Sequence, residues 1–285
     1  MEYELIEEPF FVRKLGAGKF GTVYLIDQDD TPIALKIILE VSEGALVSGV
    51  AQETLEQGKD EYQVLRDLEG VPGVPRVYQL VRFTRERAMW YGIAMQYIGG
   101  PSLRNKMYSL HKRGRRVTMH LILKLAYALS GTLLEMQKRG YAHRDIKPEN
   151  IVLQEPFYHP YLVDFGGACR LSECQGTFGT PLYFDDALNT SSDPLERRYD
   201  LADLFSLGRT LQMVWEGDTK SKLGIIITRV DPEAIRIIHP LLLSKPDRRI
   251  SLTDFHTLLA EKLTARGYHL DEPLYLYGPD DSVLD

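Results

Sequence analysis

The sequence changes character once, at Gly99-Gly100-Pro101, and that break limits the folds open to it. Before it, from about Phe10 to Tyr97, β-branched and aromatic runs alternate with Gly, Asp and Pro punctuation: "FFVRKLG", "TVYLIDQ", "PIALKIIL", "RVYQLVRFT" and "AMWYGIAMQY". Runs of this kind read as strands. One helical segment interrupts them, "AQETLEQGKDEYQVLRDLEG", with Leu55, Tyr62, Leu65 and Leu68 at near-helical spacing and a stop at Gly70. After the break, Leu121 to Lys138 reads as a long amphipathic helix, short strands flank "HRDIKPEN", and helical patterns dominate from Tyr199 to about Arg266. The expectation is an α+β fold. Residues 1–98 form a small antiparallel β domain with one helix, residues 99–264 a larger, mostly helical domain, and residues 265–285 an acidic tail. A β-rich part joined to an α-rich part by so short a passage also predicts a ligand cleft between them.

Composition removes several function classes. The formal net charge of −6 argues against non-specific binding to nucleic acid or to an anionic membrane surface. No apolar run reaches the roughly 18 residues that span a bilayer; "LILKLAYALSGTLLEM" is interrupted by Lys124. The start, "MEYELIEEPFF", is acidic and lacks a signal peptide's cationic and apolar regions. A cytoplasmic protein is expected. The two cysteines, Cys169 and Cys174, supply neither a disulfide framework nor a zinc site. Two unpaired thiols are expected, with a redox pair as the alternative that their spacing permits.

Four short motifs carry chemistry. "GAGKFGTV", Gly16 to Val23, lies between two strand candidates, where Gly16, Gly18 and Gly21 permit a tight turn whose backbone approaches phosphate oxygens. Phe20 at its tip is placed to shield them from water. Taken alone the stretch also fits a glycine-rich hairpin, and because no helix follows it a dinucleotide-binding βαβ unit is disfavoured. Lys36 ends "IALK" in an apolar strand, where a buried ammonium needs a partner; Glu61, in the predicted helix, is one candidate, and snorkelling to solvent is the alternative. In "HRDIKPEN", Asp145 and Asn150 are five residues apart and Pro148 prevents a regular helix, so a carboxylate and an amide are aimed into one space. The carboxylate suits orienting or deprotonating a hydroxyl, the amide oxygen ligating a hard cation. Fourteen residues beyond Asn150, "DFG" adds a second acidic group, Asp164, and with it a second oxygen ligand.

Each signal is weak by itself, but together, in this order and at these distances, they resemble the eukaryotic-type (Hanks-type) serine/threonine protein kinases. The resemblance runs from about Phe10 to Leu263 and includes "DLFSLG" (Asp203 to Gly208), similar to the helix that anchors the catalytic loop, and "KPDRR" (Lys245 to Arg249). It implies a bilobal fold and transfer of the γ-phosphoryl group of ATP to a protein serine or threonine. Gly16, Gly18, Phe20 and Gly21 are then the loop over the phosphates. Val23 and Ala34 pack on the adenine from above, Val152 forms the pocket floor, Met95 guards its back, and Gln96, Tyr97 and Ile98 form the hinge. Lys36 and Glu61 match the phosphate-holding ion pair, Asn150 and Asp164 the ligands of Mg²⁺ (with Mn²⁺ as a substitute), Asp145 the base, and Lys147 a cation for the γ-phosphoryl. Arg144 matches a residue that binds a phosphate on the activation segment, for which Thr177 and Ser172 are the candidate positions. Thr180 resembles the residue that contacts the catalytic aspartate, and His143 a packing residue. The implied partners are protein substrates, with transient self-association for autophosphorylation.

Two departures stand out. The sequence reads "GTPLYFDDAL", with Ala187 where the family has a glutamate that pairs with a late arginine, here Arg249; Asp186 substitutes, or the pair is absent. The stretch Glu40 to Asp60 is also longer than usual. Two other functions on the same fold compete. A pseudokinase scaffold is disfavoured because Lys36, Glu61, Asp145, Asn150 and Asp164 are all present. A small-molecule kinase is disfavoured by Lys147 in "DIKPEN" and by the "GTP" segment.

Overall fold

The structure, a computed structural model, describes residues 2–42, 45, 47–113, 117–174, 178–185, 199–216, 232–242 and 248–271. They separate into two compact units. The first holds residues up to Gly70, Val74–Ile98 and Asp164–Ala168; the second holds Val71–Gly73, Gly99–Val163 and the chain from Cys169 onward.

The first unit is a six-stranded sheet with one helix. In chain order its elements are β1 (Glu4–Leu5), β2 (Phe10–Gly18), β3 (Gly21–Gln28), β4 (Thr31–Ser42), α1 (Val50–Asp67), β5 (Val77–Arg85) and β6 (Ala88–Gln96). The strands lie in the order β1-β5-β6-β4-β3-β2. All neighbours are antiparallel except β1, which runs parallel to β5. β1 was not legible in the sequence, because two residues carry no period. Two tight turns set the hairpins: Asp29-Asp30 between β3 and β4, and Glu86-Arg87 between β5 and β6, all four with positive φ of 51° to 63°. Paired left-handed residues match the right-handed twist of the strands they join. β4 sits between two neighbours and is buried from Ile33 to Ile37. Alternation sends Ile33, Leu35 and Ile37 into a core with Ile26, Val81, Phe83 and Ala94. Lys36 and Ile38 meet α1 on the opposite side.

The second unit is built on helices. Its described elements are α2 (Leu103–Lys112), α3 (Met119–Lys138), β7 (Tyr141–Ala142), a 3₁₀ turn at Pro148–Asn150, β8 (Ile151–Gln154), β9 (His159–Leu162), β10 (Cys169–Arg170), α4 (Tyr199–Glu216), α5 (Pro232–Ile238) and α6 (Leu252–Thr264). Thr118 caps α3 by accepting from Leu121 N–H at 3.2 Å, and Ser251 caps α6 by accepting from Asp254 N–H at 3.0 Å. α3 and α6 pack together. α3 buries Leu121, Leu125, Leu129 and Leu133 at four-residue spacing, and α6 buries Phe255, Leu259 and Leu263. His256 of α6 stacks on Tyr127 of α3 at 4.3 Å and bonds Ser130 at 2.8 Å. Lys124 is itself buried, and its ammonium donates to the His269 carbonyl, while the Tyr268 ring lies tilted at 49° against His120 with centroids 4.1 Å apart. The start of the acidic tail is thereby fastened to α3. Among the described residues no helix is long and apolar enough to cross a membrane.

One expectation is overturned here. Cys169 and Cys174 are joined in a disulfide, with their Cα atoms 5.4 Å apart. β10 pairs Cys169 with Ala142 and Arg170 with Tyr141, Leu171 N–H donates to the Gly140 carbonyl, and the chain then turns so that Cys174 N–H donates to the Arg170 carbonyl. That turn brings the second sulfur back to the first. Spacing permitted the pair but did not select it, since the turn depends on the pairing with β7.

Candidate active site

The sequence-selected residues fall into two clusters, one in each unit. In the first, the Lys36 ammonium donates to both Glu61 oxygens, at 2.7 and 2.8 Å, and to Asp164 Oδ1 at 2.7 Å. Lys36 reaches this point from the central strand, Glu61 from α1, and Asp164 from the "DFG" segment. That segment belongs to the first unit by packing although the chain around it belongs to the second. Burial alone pushes the Lys36 ammonium down, but the charges of Glu61 and Asp164 and their hydrogen bonds outweigh it, so its pKa lies above the ordinary lysine value. For Glu61 burial is again the largest effect and pushes the carboxyl up. Lys36 and the Phe165 backbone N–H pull it back, Asp164 adds to the rise, and the net is upward.

The glycine loop forms the β2–β3 hairpin. Gly21 has φ of +126°, and a Cβ there would stand 2.1 Å from the Ile37 carbonyl oxygen, so the fold itself requires glycine. Gly16 and Gly18 are different: a Cβ on Gly16 meets nothing within 4 Å, and one on Gly18 meets only Asp164 Oδ2, at 4.0 Å. Local packing makes no demand for glycine at either. Phe20 folds down onto Gly166, where a Cβ would come within 2.7 Å of the ring, and the ring lies 5.6 Å from the Lys36 ammonium. Asp164 holds φ of +64°, an uncommon conformation for a residue with a side chain. In the strands, Val23 is in register with Lys36, and Ala34 with Met95. Gln96 spends its backbone N–H on the Arg76 carbonyl at 2.7 Å and its side-chain oxygen on the Arg76 N–H at 3.1 Å. Tyr97 accepts from Arg13 at 3.0 Å, and Ile98 is buried.

In the second unit the centre is an anion. Asp145 Oδ2 accepts from Lys147 at 2.5 Å and from the Asn150 amide at 2.9 Å, and Oδ1 accepts from the Thr180 hydroxyl at 2.8 Å. Thr180 in turn accepts from Lys147 at 2.8 Å. The loop is held from beneath by Asp203 of α4, whose two oxygens accept the backbone N–H groups of His143 and Arg144, both at 2.7 Å. His143 is fully buried, and its Nδ1 accepts the Asp145 N–H at 3.3 Å, which makes it scaffold. Pro148 opens the 3₁₀ turn that brings Asn150 back under Asp145. Val152 follows in β8, half-buried and paired with Tyr161.

The cluster tests whether a divalent cation fits. The Asn150 amide nitrogen is committed to the Asp145 carbonyl and carboxylate, both at 2.9 Å, which leaves the amide oxygen as its acceptor. That oxygen in the second unit and the Asp164 carboxylate in the first are each hard donors of the kind such a cation takes, so the residues fit the group by their chemistry.

Of the regulatory candidates, Ser172 is exposed in the turn after β10, while Thr177 lies outside the described residues. The Arg144 guanidinium lies over the rings of Phe178 and Tyr199, at 5.1 and 5.6 Å, and burial lowers its pKa. Arg249 has a partner, but it is Asp185. The Arg249 guanidinium donates to the Asp185 carboxylate and, at 3.2 Å, to the Leu201 carbonyl, and lies over Phe205 at 4.9 Å. Asp186 and Ala187 are outside the described residues. The two adjacent acids made the sequence ambiguous by one position, and Asp185 is buried against Arg249.

The chain thus buries a lysine between two carboxylates in its sheet-and-helix unit and presents an aspartate, an asparagine and a lysine from one short loop of its helical unit. Its comparison with known proteins is direct: the sequence model described as "Protein kinase domain" matches residues 11–260. The chain belongs to the protein kinase family. It is 23% identical to serine/threonine-protein kinase D of Synechocystis over 88% of its length and 51% of that protein's. It is 27% identical to serine/threonine-protein kinase cds1 of Schizosaccharomyces pombe over 84% and 55%. To a probable cAMP-dependent protein kinase catalytic subunit of Encephalitozoon cuniculi it is 29% identical over 66% and 55%. The chain thus spans about half the length of these relatives. Members of the family use ATP and a divalent metal.

Proposed function

We propose that this protein is an ATP-dependent serine/threonine protein kinase that transfers the γ-phosphoryl group of Mg-ATP to a protein hydroxyl. The observation that carries the reading is the Asp145 cluster. The Asp145 carboxylate is held by Lys147 and Asn150, and the Thr180 hydroxyl bridges Asp145 and Lys147. Phosphoryl transfer has a loose transition state with charge spread over oxygens, so catalysis is mainly positioning and electrostatics. Asp145 orients the attacking hydroxyl and accepts its proton, and Lys147 offsets charge developing on the transferred group. Lys36, fixed by Glu61, holds the α- and β-phosphates. The room beside Gly16 and Gly18 admits the phosphates, and Phe20 covers them. Val23, Ala34, Met95, Gln96, Tyr97, Ile98 and Val152 bind the adenine. Asn150 and Asp164 hold Mg²⁺, with Mn²⁺ as a substitute, and the bound cation neutralises phosphate charge. In this assignment residues 1–98 serve the nucleotide and residues 99–264 the catalytic loop and the protein substrate. Arg144, Thr177 and Ser172 form the regulatory set, and transient self-association allows autophosphorylation. The net charge of −6 supports a setting without nucleic-acid or membrane-surface partners, and a cytoplasmic location is part of the same proposal.

The test incubates the purified chain with Mg-ATP and generic protein substrates and maps the phosphorylated residues by mass spectrometry. Phosphoserine and phosphothreonine are expected, and incorporation is expected to collapse in Asp145→Asn and Asp164→Ala. Incorporation at the unsubstituted rate in either variant overturns the assignment.

A further inference from the structure

The residues before β2 are not a loose lead-in. Glu4 and Leu5 run parallel to Val81 and Arg82 of β5, Ile6 N–H donates to the Arg82 carbonyl at 3.0 Å, and Glu8 pairs with Arg85 at 3.1 Å. This strap fixes the position of Tyr3. Its ring stands edge-on to Tyr91, with centroids 5.2 Å apart and planes at 88°, and its hydroxyl donates to the Leu55 carbonyl of α1 at 2.9 Å. Burial, and then the charges of Glu56 and Glu61, raise its pKa, so the hydroxyl stays a neutral donor.

Below the hydroxyl lies Gly58, an interior position of α1. Glycine there weakens a helix, so a compensating reason is expected. A Cβ on Gly58 would stand 2.7 Å from the Tyr3 hydroxyl oxygen and 2.1 Å from Ile38 Cδ1. The glycine therefore lets α1 close onto Tyr3 and β4 at once. Gly58 is three residues before Glu61 and on the same side of α1. Ile38 is two residues after Lys36 and meets α1 as Lys36 does. The Tyr3–Gly58–Ile38 contact is thus the layer next to the Lys36–Glu61 pair, made by the same helix and strand. How closely α1 seats at Gly58 sets whether the Glu61 carboxylate reaches the ammonium.

We propose that Tyr3 is a positioning residue for the Lys36–Glu61 pair: the strap holds α1 against β4, and losing the Tyr3 contact draws Glu61 away from Lys36. The proposal rests on the reading above that this pair holds the phosphates of ATP.

The experiment is a double-mutant cycle on the full chain, reading kcat and KM for ATP with thermal unfolding in parallel. Tyr3→Ala is expected to lower kcat/KM for ATP about tenfold, while Tyr3→Phe, which keeps the ring, recovers most of it. In a Glu61→Gln background, Tyr3→Ala is expected to add less than about a twofold further loss, because a residue acting through Glu61 has nothing left to position. A strap that merely stabilised the sheet would give losses that multiply, and that outcome overturns the proposal. Gly58→Ala, which favours the helix and keeps the chain folded, is expected to lower kcat/KM in the same direction, and less so with Tyr3→Phe. No loss in Gly58→Ala also overturns it. If Glu61→Gln alone leaves kcat/KM for ATP unchanged, the reading of the ion pair fails; if Glu61→Gln is impaired and Tyr3→Ala is not, only the strap fails.

Discussion

The two clusters are built on opposite plans. In the first unit a cation is the hub, buried between two carboxylates that come from a helix and a distant segment. In the second an anion is the hub, and its donors come from its own loop and from Thr180. A buried ammonium between carboxylates is costly to leave half-paired, because each remaining charge has lost its water. A carboxylate ringed by a lysine, an amide and a hydroxyl tolerates the loss of charge better, since asparagine still hydrogen-bonds to several of the same groups. The first plan ties function to stability; the second separates them.

Substitution at the two hubs should expose that difference most strongly. Asp145→Asn is expected to lower kcat about 10³-fold, the range for loss of a positioned base, with little change in the unfolding midpoint. Lys36→Met is expected to impair ATP use by about 10²-fold and to destabilise the chain by about 3 kcal/mol as well, a fall of about 10 °C in midpoint, because Glu61 and Asp164 are left facing each other. Kinetics and calorimetry on the same preparations check both. Equal destabilisation by the two substitutions breaks the contrast.

The same difference governs what could be read in the sequence. The anion cluster was legible because Asp145, Lys147 and Asn150 fall within six residues, and Pro148 announced the bend that folds them together. Of the cation cluster, Lys36 was marked by its apolar strand. Glu61 was one candidate by its chemistry alone; the family resemblance selected it, and the structure pairs it with Lys36. The strands and the helices α1 and α3 followed from periodicity, whereas β1 and the Asp185–Arg249 pair did not, because a two-residue strand and a one-position choice between acids leave no periodic trace. The disulfide was read wrongly for a related reason: spacing along the chain cannot report a turn that a neighbouring strand imposes.

Arg249 offers a sharper form of the comparison, a buried ion pair in the second unit to which no phosphate role is assigned. Its side chain is fully buried against Asp185, so Arg249→Ala is expected to cost about 3 kcal/mol, close to the Lys36→Met figure. The kcat per folded molecule should change far less than in Lys36→Met. The double substitution with Asp185→Ala should cost less than the two single losses added together, which urea unfolding of the three variants checks.

The disulfide gives a smaller effect confined to the second unit. It closes a short ring, Cys169 to Cys174, so its constraint on the unfolded chain is modest, about 2 kcal/mol in the chain-entropy view. Cys174→Ser, or reduction with a dithiol, should destabilise the second unit by that amount and leave the first unaffected. Titration of the native chain should find no free thiol at either position.

The smallest expected effect is a pH dependence that separates binding from stability within the cation cluster. Burial holds the Glu61 carboxyl above its ordinary range, so it takes up a proton at a higher pH than an exposed glutamate does. A group whose pKa is raised on folding contributes stability below its unfolded pKa and loses that contribution as pH rises through the folded value. Acidification therefore does not destabilise the fold at this group; it removes the negative charge that fixes Lys36. Lys36 behaves differently: its pKa is raised above the ordinary lysine value, so its contribution to stability is complete through neutral and acid pH. As pH falls from neutrality, KM for ATP is expected to rise as Glu61 takes up its proton, while the stability contributed at Glu61 grows rather than falls. Glu61→Gln should begin with the high KM and show no further rise on acidification. A rise of equal size in Glu61→Gln assigns the acid limb to another group, and an acid limb that tracks unfolding would mean that the two properties are not separable in this cluster.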